Sequence, residues 1–397
     1  MVPTIRDVAS KAQVSFQLAA AVLGRKKYAR ASARTKEKIF SAAESLGYVP
    51  NASAQLLRGG ASNIIGVIID SRAPESMVGV LAEIEQVADR MGYRILSVQA
   101  HDNPEKFLHL YRSLKQNGVD GIISFSHDYS HLNRHLETML QDDPKIVFAF
   151  NSPQRKCSAV DAGIAEGVQA AVEHLRSNGC RKTALLLGGT AYDQLPRSCK
   201  QRYESFLEAC PDGEIFLLNL KPLTPAQWEP VFRRLIREFL VPEKFDSAIV
   251  QNDYLAAVLM KQLQTAGIRI PQDFCLVGWD DRLICRCLPI SLTSLHFDSR
   301  KVAETLLKIL LDKIAGDPEP VRVTLPLKLV IRESSDRRHA CGKKKKASDR
   351  DIDPALFEIV RTKCRKTGAG PAGKRSVVRT APGSGRAGMK KRQGTSK

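Results

Sequence analysis

From Ile64 to Val277 the sequence repeats one unit, a short apolar run followed by a longer amphipathic stretch, and this alternation constrains the fold more than any other feature. Ile64 to Ile69, Tyr93 to Val98, Gly121 to Phe125 and Lys145 to Phe150 read as strands, with helices over Gly79 to Met91 and Pro104 to Asn117 between them. A second set begins near residue 158. There, helices over 164–177, 198–209, 226–239 and 254–266 alternate with strands over 183–187, 215–218, 248–250 and 274–277. Runs that are apolar throughout are buried on both faces, and connections long enough to hold a helix make such strands parallel. The expected body is therefore α/β, two lobes each built on a parallel sheet, with crossover strands near Ser291 to Leu295 and Val321 to Ile331.

The first fifty residues follow a different period. Thr4 is placed to cap a helix, with Asp7 three residues on to complete a capping box, and Ile5, Val8 and Ala12 form one apolar stripe. After a break at Gln13-Val14, Ser15 is a second candidate cap, followed by Leu18, Ala19, Val22 and Leu23 up to Gly24. A third helix is expected over 35–46, capped by Thr35, with Ile39, Ala42, Ala43 and Leu46 on one side. Three short helices with these faces close a small core, and the first two make a helix-turn-helix, whose second helix enters a DNA major groove. Gly47-Tyr-Val-Pro-Asn51 and a short Ala- and Leu-rich segment, Ala52 to Arg58, follow before Gly59-Gly60.

Thr4-Ile-Arg-Asp-Val-Ala9, Val14-Ser15, Leu46-Gly-Tyr-Val-Pro-Asn51 and Ala54 to Leu57, in this order, resemble the lactose-repressor (LacI/GalR) family of bacterial transcription regulators. The resemblance covers about residues 3 to 335. It implies an all-α helix-turn-helix domain joined to a two-lobed, periplasmic-binding-protein-like domain. The implied division is 1–50 for the DNA-binding domain, 51–62 for a hinge helix and linker, 63–335 for effector binding and dimerisation, and 336–397 for a basic tail. It also implies that Thr4, Ser15, Phe16, Gln17, Ala20, Ala21, Asn51, Ala54, Leu57 and Arg58 face DNA, with Phe16 and Gln17 at base edges and Leu57 as a minor-groove wedge in the hinge. Where the family's second helix carries hydroxyls and an arginine, this chain has Ala20 and Ala21, which offer only methyl contact. Losing a bidentate arginine removes roughly 1–3 kcal/mol of base discrimination. A family member that binds DNA mainly by charge and shape is therefore a second reading.

Ligands of parallel sheets lie at the carboxyl ends of the strands, where polar residues cluster in this chain. Asp70 follows the first run, Asn151 the last of the first lobe, Asn252-Asp253 the run ending at 250, and Asp280-Asp281 the run ending at 277. The resemblance implies that Arg202 clamps the effector and that Gly278-Trp279-Asp280-Asp281 and Asn252-Asp253 belong to the same site. The effector set is thus Asp70, Asn151, Arg202, Asn252, Asp253, Trp279 and Asp280. Carboxylates, amides and a guanidinium suit several hydroxyls, with Trp279 for an apolar face, as a sugar requires. Taken singly, each polar residue also reads as a helix cap or loop solvation.

The net charge of +19 is concentrated at the two ends: residues 1–63 carry +7 and 335–397 carry +14, leaving the rest near neutral at −2. This suits a polyanion binder whose affinity falls with salt. The tail, rich in Lys, Arg, Gly and Pro, is expected to be largely disordered, with one short helix over Asp353 to Arg365. Nine irregularly spaced cysteines suggest reduced thiols, and neither disulfide nor metal nor cofactor is expected. The absence of a long apolar run and of a signal segment argues for the cytoplasm and against a membrane or a solute-binding protein of the same fold. No metal-spaced set, phosphate loop or nucleophile elbow supports an enzyme. The sequence is thus expected to encode a homodimeric DNA-binding repressor controlled by a small ligand in the cleft.

Overall fold

The computed structural model describes residues 3–24, 30–48, 61–70, 75–100, 103–125, 143–150, 157–220, 224 and 227–337, together with the backbone of 359–363. Helices α1 (Ile5–Ala12), α2 (Phe16–Leu23) and α3 (Ala33–Ser45) pack around Val8, Ala12, Ala19, Val22, Ile39 and Ala43. The α1 capping box is formed, with Thr4 Oγ1 accepting from the Asp7 amide and the Asp7 carboxylate accepting from the Thr4 amide. Gln13 keeps the turn by adopting left-handed geometry at φ 54°, where a side chain costs roughly 1–2 kcal/mol. The cap of α3 is Ser32, whose Oγ accepts from the Thr35 amide at 3.2 Å. Thr35, expected as the cap, lies in the first turn instead, because Ala33 and Arg34 continue the helix toward the N-terminus.

The first lobe contains β1 (Ile64–Ile69), α4 (Glu75–Arg90), β2 (Arg94–Gln99), α5 (Pro104–Gln116), β3 (Gly121–Ser124), β4 (Ile146–Ala149) and β5 (Ser158–Gly163). The second contains α6 (Ile164–Ser177), β6 (Thr183–Gly188), α7 (Arg197–Ala209), β7 (Glu214–Leu218), α8 (Trp228–Leu235), β8 (Ser247–Val250), α9 (Asp253–Thr265), β9 (Cys275–Trp279), α10 (Ile284–Cys287) and β10 (Thr293–His296). The chain then returns to the first lobe through α11 (Ser299–Ile314) and β11 (Arg322–Pro326) and ends in the second sheet with β12 (Lys328–Val330). The first sheet runs β11-β5-β4-β3-β1-β2, all parallel. The second runs β12-β10-β9-β8-β6-β7-β13, where β13 is Ile359–Lys363, parallel within and antiparallel at both edges.

Two elements depart from the sequence expectation. Residues 158–163, read as the start of the second set, form a strand of the first sheet; the run Ser-Ala-Val-Asp-Ala-Gly is too small and polar to stand out as a buried strand. Within the stretch expected as a helix over Asp353 to Arg365, β13 (Ile359–Lys363) is extended and pairs antiparallel with β7. Its β-branched Ile359, Val360 and Thr362 favour this, and the edge it covers would otherwise present unpaired backbone groups.

Three crossings join the lobes, at 163–164, 297–298 and 326–328. One hydrophobic cluster continues through them, from Ile65, Val67 and Ile123 in the first lobe to Leu185, Leu187 and Val277 in the second. At their junction Phe150 and Phe297 meet edge to face, with ring centres 5.4 Å apart.

Candidate DNA-reading surface and ligand cleft

The second helix of the N-terminal unit begins at Ser15, whose Oγ accepts from the Leu18 amide at 3.2 Å. This cap fixes Phe16 and Gln17 as the first two residues of α2, and both are exposed. One turn later Ala20 and Ala21 are half-buried, while Ala19 and Val22 face the core. The exposed face at the start of α2 therefore carries one ring and one amide as its largest groups. Asn51, Ala54, Leu57 and Arg58 lie outside the described residues.

In the body, β9 ends at Trp279, and the chain then turns through Asp280 (φ 99°) and Asp281 (φ 49°), two successive residues in left-handed backbone. The turn is held from several sides. The Asp280 amide donates to Leu295 O at 2.8 Å and the Asp281 amide to Ser294 Oγ at 3.0 Å. Asp281 forms an ion pair with Arg332 at 2.6 Å. Asp253, the first residue of α9, is completely buried; its Oδ1 accepts from Ser294 Oγ at 2.6 Å and its Oδ2 from the Arg282 amide at 2.7 Å. One Asp253 oxygen is thus engaged by the turn that carries Asp280 and the other by Ser294 of β10, which also holds the Asp281 amide. Burial raises the Asp253 carboxyl above its ordinary range, against the hydrogen bonds from Arg282 and Ser294. Asn252 caps α9, its Oδ1 accepting from the Leu255 amide at 2.9 Å.

Arg202 reaches this turn from α7. Its guanidinium carbon lies 3.8 Å from the centre of the Trp279 ring, and its Nη1 donates to Gln251 O at 2.8 Å. Trp279 is only 3% exposed, so it holds the arginine over its face instead of offering that face to a ligand. Arg202 Nε is buried without a hydrogen-bond partner. An unpaired buried donor costs roughly 1–3 kcal/mol, which a ligand acceptor at this position would recover. The Asp280 carboxyl is pushed up to about 7 by burial, although the nearby Arg202 charge and a hydrogen bond from Ser76 act in the opposite direction.

Ser76 belongs to the first lobe, so its bond to Asp280 crosses the cleft. The neighbouring Glu75 makes two more crossings: Tyr254 Oη donates to its carboxylate, and Arg282 pairs with it at 3.3 Å. Asp70 closes β1 on the first-lobe side and is half-buried. Asn151 lies outside the described residues. The cleft therefore brings Arg202, Trp279 and Asp280 together and adds Glu75, Ser76, Tyr254 and Arg282, which the sequence reading did not single out. Only the position of Glu75-Ser76 just after the first strand signalled them, since pairing across the cleft leaves no local pattern.

Residues 4–51 match the family described as bacterial regulatory proteins of the lacI family, and residues 172–335 match a periplasmic binding protein-like domain. The chain is 25% identical over 337 residues to the HTH-type transcriptional repressor PurR of Haemophilus influenzae, covering 83% of this chain and 98% of that one. It is 26% identical over 343 residues to PurR of Aliivibrio fischeri, covering 84% and 99%. Among solved structures, the lac repressor dimer bound to operator and the anti-inducer ONPF superposes with a TM-score of 0.70 at 24% identity, covering 84% of this chain and 99% of that one. The complex of the regulator CelR with cellobiose gives 0.58 at 21%, covering 84% and 99%. With the helix-turn-helix unit and the two-lobed body both matched, in the same order and over nearly the whole length of the relatives, the chain belongs to the LacI/GalR family of DNA-binding, effector-controlled transcription regulators.

Proposed function

We propose that this chain is a homodimeric cytoplasmic repressor whose operator affinity is set by a small polyhydroxylated ligand, a sugar or close relative, in the cleft. The observation that carries the ligand class is the buried, unpartnered Arg202 Nε beside an Asp280 carboxyl that titrates near neutrality. A donor with no acceptor and a carboxyl able to give or take a hydrogen bond suit a hydroxyl better than a purely apolar molecule. In this reading Arg202, Asp280, Asn252 and Asp70 contact the ligand, Asn151 joins them, Trp279 orients Arg202, and Asp253 fixes the turn. Thr4, Ser15, Phe16, Gln17, Ala20 and Ala21 meet the operator, with Asn51, Ala54, Leu57 and Arg58 continuing the contact through the hinge. The functional division is 1–50, 51–62, 63–335 and 336–397, and the protein has no enzymatic activity. CelR was solved with cellobiose, whereas the PurR relatives are transcriptional repressors whose names state no ligand, so the sugar assignment rests on the cleft chemistry of this chain.

Selection of bound sequences from a random duplex library near physiological salt, with a Gln17→Ala control, tests the DNA side. Enrichment of a palindrome that changes with Gln17→Ala is expected. Unenriched DNA whose binding collapses as salt rises would overturn sequence-specific regulation and favour the charge-and-shape reading, to which the methyl-only Ala20 and Ala21 point. On the selected operator, release by members of a sugar panel but not of a purine panel supports the ligand class, and the opposite result overturns it.

A further inference from the structure

Far from the cleft, at the foot of the second sheet, two thiols lie side by side. Cys180 follows α6 and is 7% exposed, while Cys275 opens β9 and is completely buried. They share a hydrogen bond. Arg337, the last residue described before the basic tail, places Nη2 3.6 Å from Cys180 Sγ and pairs with Asp246 at 3.7 Å. Its Nε is buried without a hydrogen-bond partner. Asp246 accepts from the Arg181 and Lys182 amides, fixing the loop that carries Cys180. Cys275 Sγ is also within reach of Pro271 O at 3.5 Å and Ser335 O at 3.8 Å, so the pair contacts the chain segment from which the tail departs.

We propose that Cys180 and Cys275 form an oxidisable dithiol, a modification site that hydrogen peroxide converts to a disulfide. Cationic surroundings and a second thiol at hydrogen-bond distance are the conditions under which a thiol reacts as thiolate and is then resolved. The Cys180 hydrogen bond draws Cys275 below the ordinary thiol range, and Arg337 adds to this against the effect of burial. The hydrogen bond to Cys275 and burial push the Cys180 thiol up, so a Cys180 thiolate forms by passing its proton to Cys275, and Cys180 is the more exposed of the two residues, 7% against 0%. The Cys180 thiolate attacks one peroxide oxygen and the O–O bond breaks. The departing hydroxide takes up a proton, giving water and the Cys180 sulfenic acid. Cys275 sulfur then attacks the Cys180 sulfur, the S–O bond breaks, and hydroxide leaves with the Cys275 proton as a second water. Two thiols lose two electrons and one peroxide is reduced to two waters. The product can no longer donate from Cys275 to Ser335 O, and Arg337 loses the thiolate while keeping Asp246, so residues 334–337 are held less firmly.

The test uses full-length reduced protein and limiting hydrogen peroxide, followed by alkylation of remaining thiols and peptide mapping without reduction. The expected first product is a peptide pair linked through Cys180 and Cys275, reversed by a thiol reductant and accompanied by faster amide exchange at 334–337. In Arg337→Gln its formation should slow about three- to tenfold, the rate change expected when a neighbouring cation no longer favours thiolate, while maleimide labelling of the exposed Cys287 is unchanged. Recovery of Cys180 and Cys275 as free thiols while Cys287 is oxidised would overturn the proposal. Over-oxidation of either cysteine without linkage would also overturn it, and an unaltered rate in Arg337→Gln would remove Arg337 from the site.

Discussion

A methyl group on Gly278 would sit 2.3 Å from the Asp253 carboxylate and 2.9 Å from a Leu292 methyl, so this glycine is required for the close approach of α9 to β9. Gly278→Ala is expected to cost about 1–3 kcal/mol, as overpacking does, and to displace the Asp280 turn; a lower urea midpoint with weakened effector binding would show both. Asp280 itself gives the body a pH signature. Burial pushes its carboxyl up to about 7 in the fold, against about 3.9 for an aspartate in an unfolded chain, so between these values the native state holds a proton that the unfolded chain has released. Stability should therefore fall as pH rises through that window and level off above it. Asp280→Asn should flatten this part of a stability-against-pH curve, and an unchanged slope would assign the titration elsewhere. Asp280 was marked out by its place after a strand and, like Arg202, by the resemblance. The role of Trp279 was not: an aromatic residue can be read from sequence, but not which face a guanidinium already covers.

Most strands and helices were legible because their apolar periods are long and their neighbours polar. The exceptions follow from weak local signals. Residues 158–163 carry little apolar bulk, and 359–363 sit in a basic stretch where only the partner edge selects an extended form. Removing everything after Arg337 should therefore leave the fold intact but speed amide exchange along the β7 edge, residues 214–218; equal exchange in the two chains would mean that β13 contributes nothing there. Ser32 illustrates the same limit at a helix end, since Ser32 and Thr35 were both chemically able to cap α3 and only the observed start of the helix separates them. Ser32→Ala should cost roughly 1 kcal/mol, seen as a lower melting temperature of the N-terminal unit, whereas Thr35→Ala should cost less.

Across the whole molecule, Glu75 ties one lobe to the other through Tyr254 and Arg282, beside the Ser76–Asp280 bond. Tyr254 lies 179 positions along the chain, which is why no local pattern announced the contact. About half of the Glu75 side chain is exposed, so the pair with Arg282 is worth at most about 1 kcal/mol. Glu75→Gln should shift the lobes toward an open arrangement by roughly two- to fivefold in population. Solution scattering should then show a larger radius without ligand, and an unchanged radius would mean that the Phe150–Phe297 junction and the Ser76–Asp280 bond set closure without Glu75.

The threefold crossing between lobes also governs the order in which the protein can be finished on the ribosome. The N-terminal unit has its whole core by Tyr48 and is free to fold almost as soon as it emerges. The second sheet has its parallel strands once β10 is made. The first sheet, although it begins at residue 64, waits for α11 to cover it and for β11 to complete its edge at 322–326. The lobe that is started first is therefore completed after most of the other, and its early strands spend most of translation without their final neighbours. A nascent chain stalled before residue 299 should thus hold a folded reading head beside an incomplete first lobe, the stage at which this protein most needs a chaperone.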